Sequence, residues 1–371
     1  MHVLLTTDVV GGVWDFCCTL AAELVRTGGR ATLLALGEPS EQQRDQARAT
    51  GAQVLHEDLK LEWMAGSEGD VQRSRQLLRD LRKLRPDIVH ANQFALGSVE
   101  LDMPLVLTAH SDVLSWHKWA LGRRPGPEWD GYAALVRDGL QGADRVTAVS
   151  GFLARELIDL YGVSRDIHVI HNGWNGGLRP SLEEIRHRDR LSMLAGRAWD
   201  AGKNLALAAR ALEGWDAGEV VFAGDMTHPE GGSADILARG IGWLGRLSQP
   251  ELLRWLRRAR LYVSPAKYDP FGLLPLQAAL AGCALLLSDI PSYRELWDGA
   301  AMFFDPADAA DLRVRWAQLL DDDEAAARVA QRCRDRARER FGAARMAAEY
   351  ARLYESLAAN RMCTPELAVA P

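Results

Sequence analysis

Cysteine is scarce, with five in 371 residues. No Cys-x-x-Cys pair and no Cys/His cluster with zinc-ligand spacing occurs, so neither a disulfide framework nor a bound metal is expected. Cys17 and Cys18 are adjacent, Cys283 sits in an apolar stretch, and Cys333 and Cys363 lie towards the C-terminus. Free thiols in a reducing cytoplasm account for that distribution. An excess of positive charge is missing too. Lys and Arg number 44 against 50 Asp and Glu, a net charge of −6, which leaves no electrostatic footprint for nucleic acid. The opening Met1-His2-Val3-Leu4-Leu5-Thr6-Thr7-Asp8 has no basic n-region and no long apolar h-region, so a secretory signal is not expected. The longest apolar run, FGLLPLQAALAGCALLL at 271–287, is interrupted by Pro275, Gln277 and Gly282. It falls short of the ~20 residues of a membrane span and reads as a buried helix, a Gly turn and a buried strand. Residues 6–22 hold no Gly-x-Gly-x-x-Gly, which speaks against a nicotinamide dehydrogenase.

What is present is ordinary in bulk. Apolar residues make up 48% and charged residues 25%, as in a folded globular chain. At roughly 150 residues per domain the length predicts two domains. Tryptophan alone stands out, at 12 against 7 Tyr and 8 Phe.

The hydrophobic pattern alternates short apolar runs with helical periodicity. A strand at 3–6 leads through Gly11-Gly12 into a helix at 15–27, and a second strand follows at 31–35. Further strands are expected at 88–90, 105–108, 145–149 and 168–170, with Ser150 capping a helix at 151–161. The stretch 173–192 is rich in Gly, Pro and charge and reads as a linker. A second series then begins, with strands at 192–195, 220–223, 242–244, 261–264 and 284–287, and charged-surface helices after 307. The class is α/β, with two parallel-sheet domains. The expected division is 1–175, 176–342, a helix at 343–359 that crosses back to the first domain, and a tail at 360–371. Ligands of such sheets bind at the C-terminal ends of the strands, in the cleft between domains.

Three features at those strand ends suit a diphosphate. Gly11-Gly12 lets backbone approach a ligand and opens a helix whose N-terminus favours anions, although an ordinary tight turn has the same composition. Arg197 ends a strand and Lys203 precedes a helix, so both could converge on one phosphate; two solvated surface cations are the alternative. In Tyr268-Asp269-Pro270-Phe271-Gly272-Leu273-Leu274-Pro275-Leu276-Gln277 a polar turn opens an apolar helix, with Pro275 suited to its first turn. There the alternative is a capping Asp and a tolerated helix Gln.

Together with Pro86-Asp87-Ile88-Val89-His90, Thr108-Ala109-His110, His171-Asn172-Gly173, Phe222-Ala223-Gly224-Asp225 and Trp243-Leu244-Gly245, these features resemble family 4 of the retaining nucleotide-sugar glycosyltransferases. The resemblance runs over nearly the whole chain. It implies the GT-B fold, two Rossmann-like parallel α/β domains facing an interdomain cleft. The first domain would be the acceptor side and the second would bind the nucleotide sugar.

The resemblance further implies a catalytic set of His110, Arg197, Lys203 and Asp269. It implies a donor-binding set of Gly11, Gly12, Gly224, Leu247, Phe271, Gly272, Leu273 and Gln277. Arg197, Lys203 and the Gly loop would hold the diphosphate, and His110 would reach the donor sugar. The nucleotide-diphosphate sugar is then a co-substrate, with no cofactor and no metal. The acceptor would attack on the leaving-group face and pass its proton to a phosphate oxygen. Family members carry Glu, seven residues, Glu where this chain has Asp269 and Gln277, which leaves donor identity open. Trp116 and Trp119, in the long segment 110–131, are the candidates for the acceptor side, with packing under a loop as the alternative. The acceptor itself, small molecule, oligosaccharide or lipid, is not legible. Six basic residues within 71–85 admit peripheral membrane contact, but Asp70 and Asp80 make a solvated helix face the better reading. A nucleotide-sugar epimerase or hydrolase of the same fold, or a non-catalytic nucleotide-sugar binder, are the rival readings.

Overall fold

The chain forms two parallel sheets. The structure, a computed structural model, describes residues 1–175, 180–227 and 240–362. The expected tail beyond 362, with Cys363, and positions 176–179 of the expected linker lie outside the described residues.

The chain divides into two compact units. The N-terminal unit comprises Met1–Val113, Pro125–Gly173 and Ala343–Pro371; the C-terminal unit comprises Leu114–Arg124 and Trp174–Gly342. The N-terminal series runs β1 (His2–Asp8), α1 (Gly12–Arg26), β2 (Arg30–Leu36), α2 (Glu41–Ala49), β3 (Gln53–Glu57), α3 (Glu68–Asp80), β4 (Ile88–Ala91), β5 (Leu105–Ala109), α4 (Val113–Ala120), α5 (Asp130–Gly142), β6 (Arg145–Ala148), α6 (Gly151–Tyr161) and β7 (His168–Val169). Its strands lie in the order β3-β2-β1-β4-β5-β6-β7, every pair parallel. The order reverses direction at β1 and β4, which brings the loops after those strands side by side.

The C-terminal series runs α7 (Leu182–Arg186), β8 (Asp189–Ala195), α8 (Leu205–Leu212), β9 (Glu219–Ala223), β10 (Ile241–Trp243), α9 (Gln249–Arg258), β11 (Ala259–Ser264), α10 (Leu273–Ala281), β12 (Ala284–Ser288), α11 (Pro291–Trp297), β13 (Met302–Phe304), α12 (Ala309–Asp321) and α13 (Asp323–Arg340). The sheet order is β10-β9-β8-β11-β12-β13, again parallel throughout, with the switch at β8 and β11. The last helix, α14 (Ala343–Met362), belongs to the N-terminal unit.

Burial explains the strand composition. Parallel strands covered on both faces read as continuous apolar runs, and β1, β4, β5, β11 and β12 are buried along their whole length. The apolar run at 271–287 resolves into α10, the left-handed Gly282 at φ 89° and β12. Ser150 caps α6 by accepting from the Leu153 amide at 3.2 Å.

α14 is held by an apolar face and a polar one. Met346, Ala347, Tyr350, Tyr354 and Leu357 share a core with Val3, Leu5, Trp14 and Phe16. Beneath them, His90 Nδ1 pairs with Tyr354 Oη at 2.6 Å and His90 Nε2 with Thr108 Oγ1 at 2.5 Å. Thr108 and Thr147 both lie within 3.3 Å of Tyr350 Oη. Each of these buried polar groups has a partner, which removes the desolvation cost of leaving one bare. No helix of the described residues is long and apolar enough to cross a membrane.

Candidate active site

In the C-terminal unit the expected phosphate-binding residues gather after β8. Gly196 and Gly224 follow β8 and β9 at φ 143° and 148°, conformations that favour glycine. The strand ends approach so closely that a Cβ on Gly224 would run into the Gly196 carbonyl oxygen. Arg197 follows, and its Nη2 donates to Asp200 Oδ2 at 2.8 Å. The other Asp200 oxygen accepts from the Gly202 amide at 2.8 Å and from Trp116 Nε1 at 2.9 Å. Burial alone pushes the Asp200 carboxyl upward, but Arg197 and Lys203 outweigh it and hold the group below the ordinary carboxylate range.

Lys203 Nζ donates to Asp269 Oδ2 at 3.0 Å. The same oxygen accepts from Tyr293 Oη at 3.0 Å, and Ser292 Oγ donates to the Asp269 carbonyl at 2.7 Å. The Gly202 carbonyl accepts from the Lys267 amide at 2.8 Å. Asn204, left-handed at φ 52°, sends its amide to the carbonyls of Pro265 and Pro306. The loop carrying Lys203 is therefore pinned to the segment carrying Asp269, and each cation already has its own carboxylate.

Past Asp269, the turn at 270–273 delivers backbone rather than side chain. The Phe271 ring is buried and meets Phe341 edge-on at 5.5 Å. Gly272 takes φ 81° as the N-cap of α10, with Pro275 and Tyr293 closing the space a Cβ would need. Leu273 opens the helix, half-buried. Gln277 is buried at 2% exposure, and its side-chain oxygen has no hydrogen-bond partner among the described residues. Leu247 is half-buried in the connection from β10 to α9.

Trp116 and Trp119 occupy α4, so the stretch taken as a long loop is helical at 113–120. Trp116 is tied to the Arg197–Lys203 loop through Asp200, and its neighbour Ser115 pairs with Tyr268 at 2.6 Å. Trp119 is half-buried with Lys118 over its ring.

The N-terminal unit holds the remaining candidates. Gly11 caps α1 at φ −150°, which any residue can adopt, and nothing lies within 4 Å of the position of a Cβ. Gly12 is the first residue of α1. Asp8 Oδ1 accepts from the amides of Val10 and Gly11, which sets the loop. His110 follows β5, half-buried, with its ring 4.6 Å from Phe16, edge to face. Its Nε2 lies 2.8 Å from Asn92 Oδ1, and burial holds the imidazole down to about pKa 3, from an ordinary 6.5. Glu62 accepts from the Phe94 amide at 2.8 Å, and burial raises its carboxyl to about 7.

Sequence reasoning missed Asp200, Tyr293 and Asn92. Asp200 lies between Arg197 and Lys203, and its position was a usable signal. Tyr293 and Asn92 meet their partners only through the fold.

The comparisons agree across both halves. The sequence pattern of Glycosyltransferase Family 4 matches residues 10–175, and that of Glycosyl transferases group 1 matches residues 202–340. A glycogen synthase of Mycobacterium tuberculosis is 29% identical over 298 residues, covering 76% of this chain and 70% of the relative. A sucrose-phosphate synthase from Thermosynechococcus elongatus superposes with a TM-score of 0.79 at 15% identity, covering 97% and 100% of the two chains. Anabaena HepE in complex with UDP-glucose superposes with a TM-score of 0.74 at 17% identity, covering 96% and 100%.

Proposed function

The chain belongs to family 4 of the glycosyltransferases and has the GT-B fold, and on that premise we propose that it is a retaining, metal-independent transferase that moves a sugar from a nucleoside-diphosphate donor to an acceptor hydroxyl. The observation that carries this reading is the pairing of Arg197 with Asp200 and of Lys203 with Asp269, on one pinned loop at the strand ends of the C-terminal unit. Two cations held at fixed positions suit a diphosphate leaving group, whose charge grows as the glycosidic bond breaks. Preorganised charge of this kind needs no rearrangement at the moment of reaction. The donor phosphates compete with Asp200 and Asp269 for the cations, which offsets part of the binding energy.

The amides at the start of α10, at Leu273 and Leu274, add a positive helix end for the same phosphates. Gly11-Gly12 contributes backbone of the N-terminal unit, where the space over Gly11 allows an oxygen to approach the amides. Asp269 has one oxygen taken by Lys203 and Tyr293, which leaves Oδ1 to accept from a donor-sugar hydroxyl. The buried Gln277 oxygen accepts from a ribose hydroxyl. A nucleotide-sugar donor is supported by the UDP-glucose bound to the structurally similar Anabaena protein. The acceptor hydroxyl forms the new bond on the face that the diphosphate leaves, and its proton passes to a phosphate oxygen.

Incubation with a panel of nucleotide sugars and acceptors, read by product mass, tests the assignment. Transfer product with the donor's anomeric configuration, formed in the presence of a chelator, is the expected result. Epimerised sugar or free sugar alone would overturn it. Lys203→Ala is expected to lower kcat by about 10²–10³-fold with an unchanged circular dichroism spectrum.

A further inference from the structure

His110 is neutral, and its surroundings settle which nitrogen carries the proton. Asn92 Nδ2 lies 2.7 Å from the Thr6 carbonyl oxygen and 3.3 Å from Cys17 Sγ. A backbone carbonyl only accepts, so the nitrogen end of the Asn92 amide must face Thr6. Turning the amide over would set two oxygens against each other at that distance. The oxygen end therefore faces His110 Nε2, at 2.8 Å, and an amide oxygen only accepts. His110 Nε2 must donate. In a neutral ring with Nε2–H, Nδ1 carries a lone pair and no proton. Nδ1 has no hydrogen-bond partner among the described residues, on a half-buried ring at the end of β5.

We propose that Asn92 is a positioning residue that locks His110 as the Nε2–H tautomer, so that Nδ1 is a fixed acceptor for a hydroxyl of the transferred sugar. This deepens the transferase reading and rests on it for the identity of the ligand. The tautomer restricts the chemistry. Nδ1 accepts from a hydroxyl or an ammonium, and it repels a phosphate or carboxylate oxygen. A ring this hard to protonate is neither the proton donor for the leaving group nor a strong base for the acceptor. Its task is to tell a hydroxyl from a hydrogen at one position of the sugar. Such a site penalises the deoxy analogue, because the buried polar group is then left without its partner.

The full chain labelled with ¹⁵N-histidine, alone in solution between about pH 5 and pH 8, reports tautomer and titration directly. The expected wild-type signal for His110 shows an unprotonated Nδ1 and no titration over that range. Asn92→Leu is expected to populate the Nδ1–H form and to lower kcat/KM for the nucleotide sugar identified by the panel by about tenfold. In Asn92→Asp an oxygen replaces Nδ2 at 2.7 Å from the Thr6 carbonyl, so the side chain keeps its place only as the neutral acid. Its hydroxyl then donates to Thr6 while the other oxygen still accepts from Nε2–H. That variant is expected to retain the tautomer and approach wild-type turnover at the lower end of the range, and to lose it at the upper end as the acid ionises. The Thr6 carbonyl keeps the Cys17 thiol as a donor in both variants.

A protonated Nδ1 in the wild-type protein, or an unchanged tautomer in folded Asn92→Leu, overturns the role of Asn92. Donors deoxygenated one hydroxyl at a time, all turned over as fast as the parent, overturn the sugar contact. If no nucleotide sugar is consumed, the transferase reading has failed, and the spectrum still decides the tautomer.

Discussion

The two units share one architecture and differ in how they arm their strand ends. In the C-terminal unit, charge meets charge: Arg197 with Asp200, and Lys203 with Asp269. In the N-terminal unit the group that follows β5 is an imidazole held neutral by burial and oriented by an amide. One sheet offers strong, long-range interactions that need internal counter-ions to stay in place. The other offers weak, directional ones that need a fixed tautomer. A nucleotide sugar has both needs, a diphosphate to neutralise and a ring of hydroxyls to sort.

Substitutions break or sharpen that contrast, starting with the glycines. Gly224→Ala puts a Cβ into the Gly196 carbonyl at positive φ. It is expected to cost about 4 kcal/mol or more, read as a collapse of the urea midpoint of the C-terminal unit. Next is the charge comparison. Lys203→Ala is expected to cost about 10²–10³ in kcat/KM, against about tenfold for His110→Gln. Equal losses in steady-state kinetics would erase the distinction between the units.

The neutral histidines give the third prediction. His90 and His110 are both held down to about 3 from 6.5, by burial first. The unfolded chain therefore binds more protons between those values, and stability falls as pH drops from about 6.5 towards 3. Glu62, raised to about 7 from 4.5, acts in the opposite sense and loses stability as pH rises between those values. Below 4.5 the histidines act without that opposition, so urea midpoints should fall most steeply there. His90→Gln should flatten the slope. The smallest structural effect is expected at Gly11. Gly11→Ala meets no atom within 4 Å at a φ open to any residue, so stability should stay within about 0.5 kcal/mol. A selective rise in donor KM would then mark close approach of the donor to that loop.

Legibility in the sequence followed the range of the interaction. The helix–Gly–strand at 271–287 and the Ser150 cap were readable because a continuous apolar run and a capping hydroxyl act within a few residues. α4 was missed. Its Val-Leu-Ser-Trp-His-Lys-Trp-Ala shows no clean apolar stripe, and it is fixed by hydrogen bonds from Ser115 and Trp116 to residues far along the chain. β3 and β13 were missed: they lie at sheet edges and are only partly buried, so neither shows the continuous apolar run of a central strand. The stretch read as a linker contains α7, whose Ser181…Glu184 capping box was a local signal passed over. At the site, the strand-end positions of Arg197, Lys203 and His110 were visible. Asp200 was within local reach of Arg197, whereas Asp269 beside Lys203, Tyr293 behind Asp269, and Asn92 beside His110 are set by strand order, which no local pattern encodes.

The division of the chain carries one more consequence. The N-terminal unit includes Ala343–Pro371, and its core counts Tyr350, Tyr354 and Leu357 among its members. During synthesis the first sheet emerges long before those side chains exist. His90 and Thr108 then lack the phenols that satisfy them, and Phe16 lacks part of its cover. Domains usually fold in the order they leave the ribosome. Here the first unit to be made is the last to be finished, so its nascent form presents apolar surface for the whole time the second is being translated.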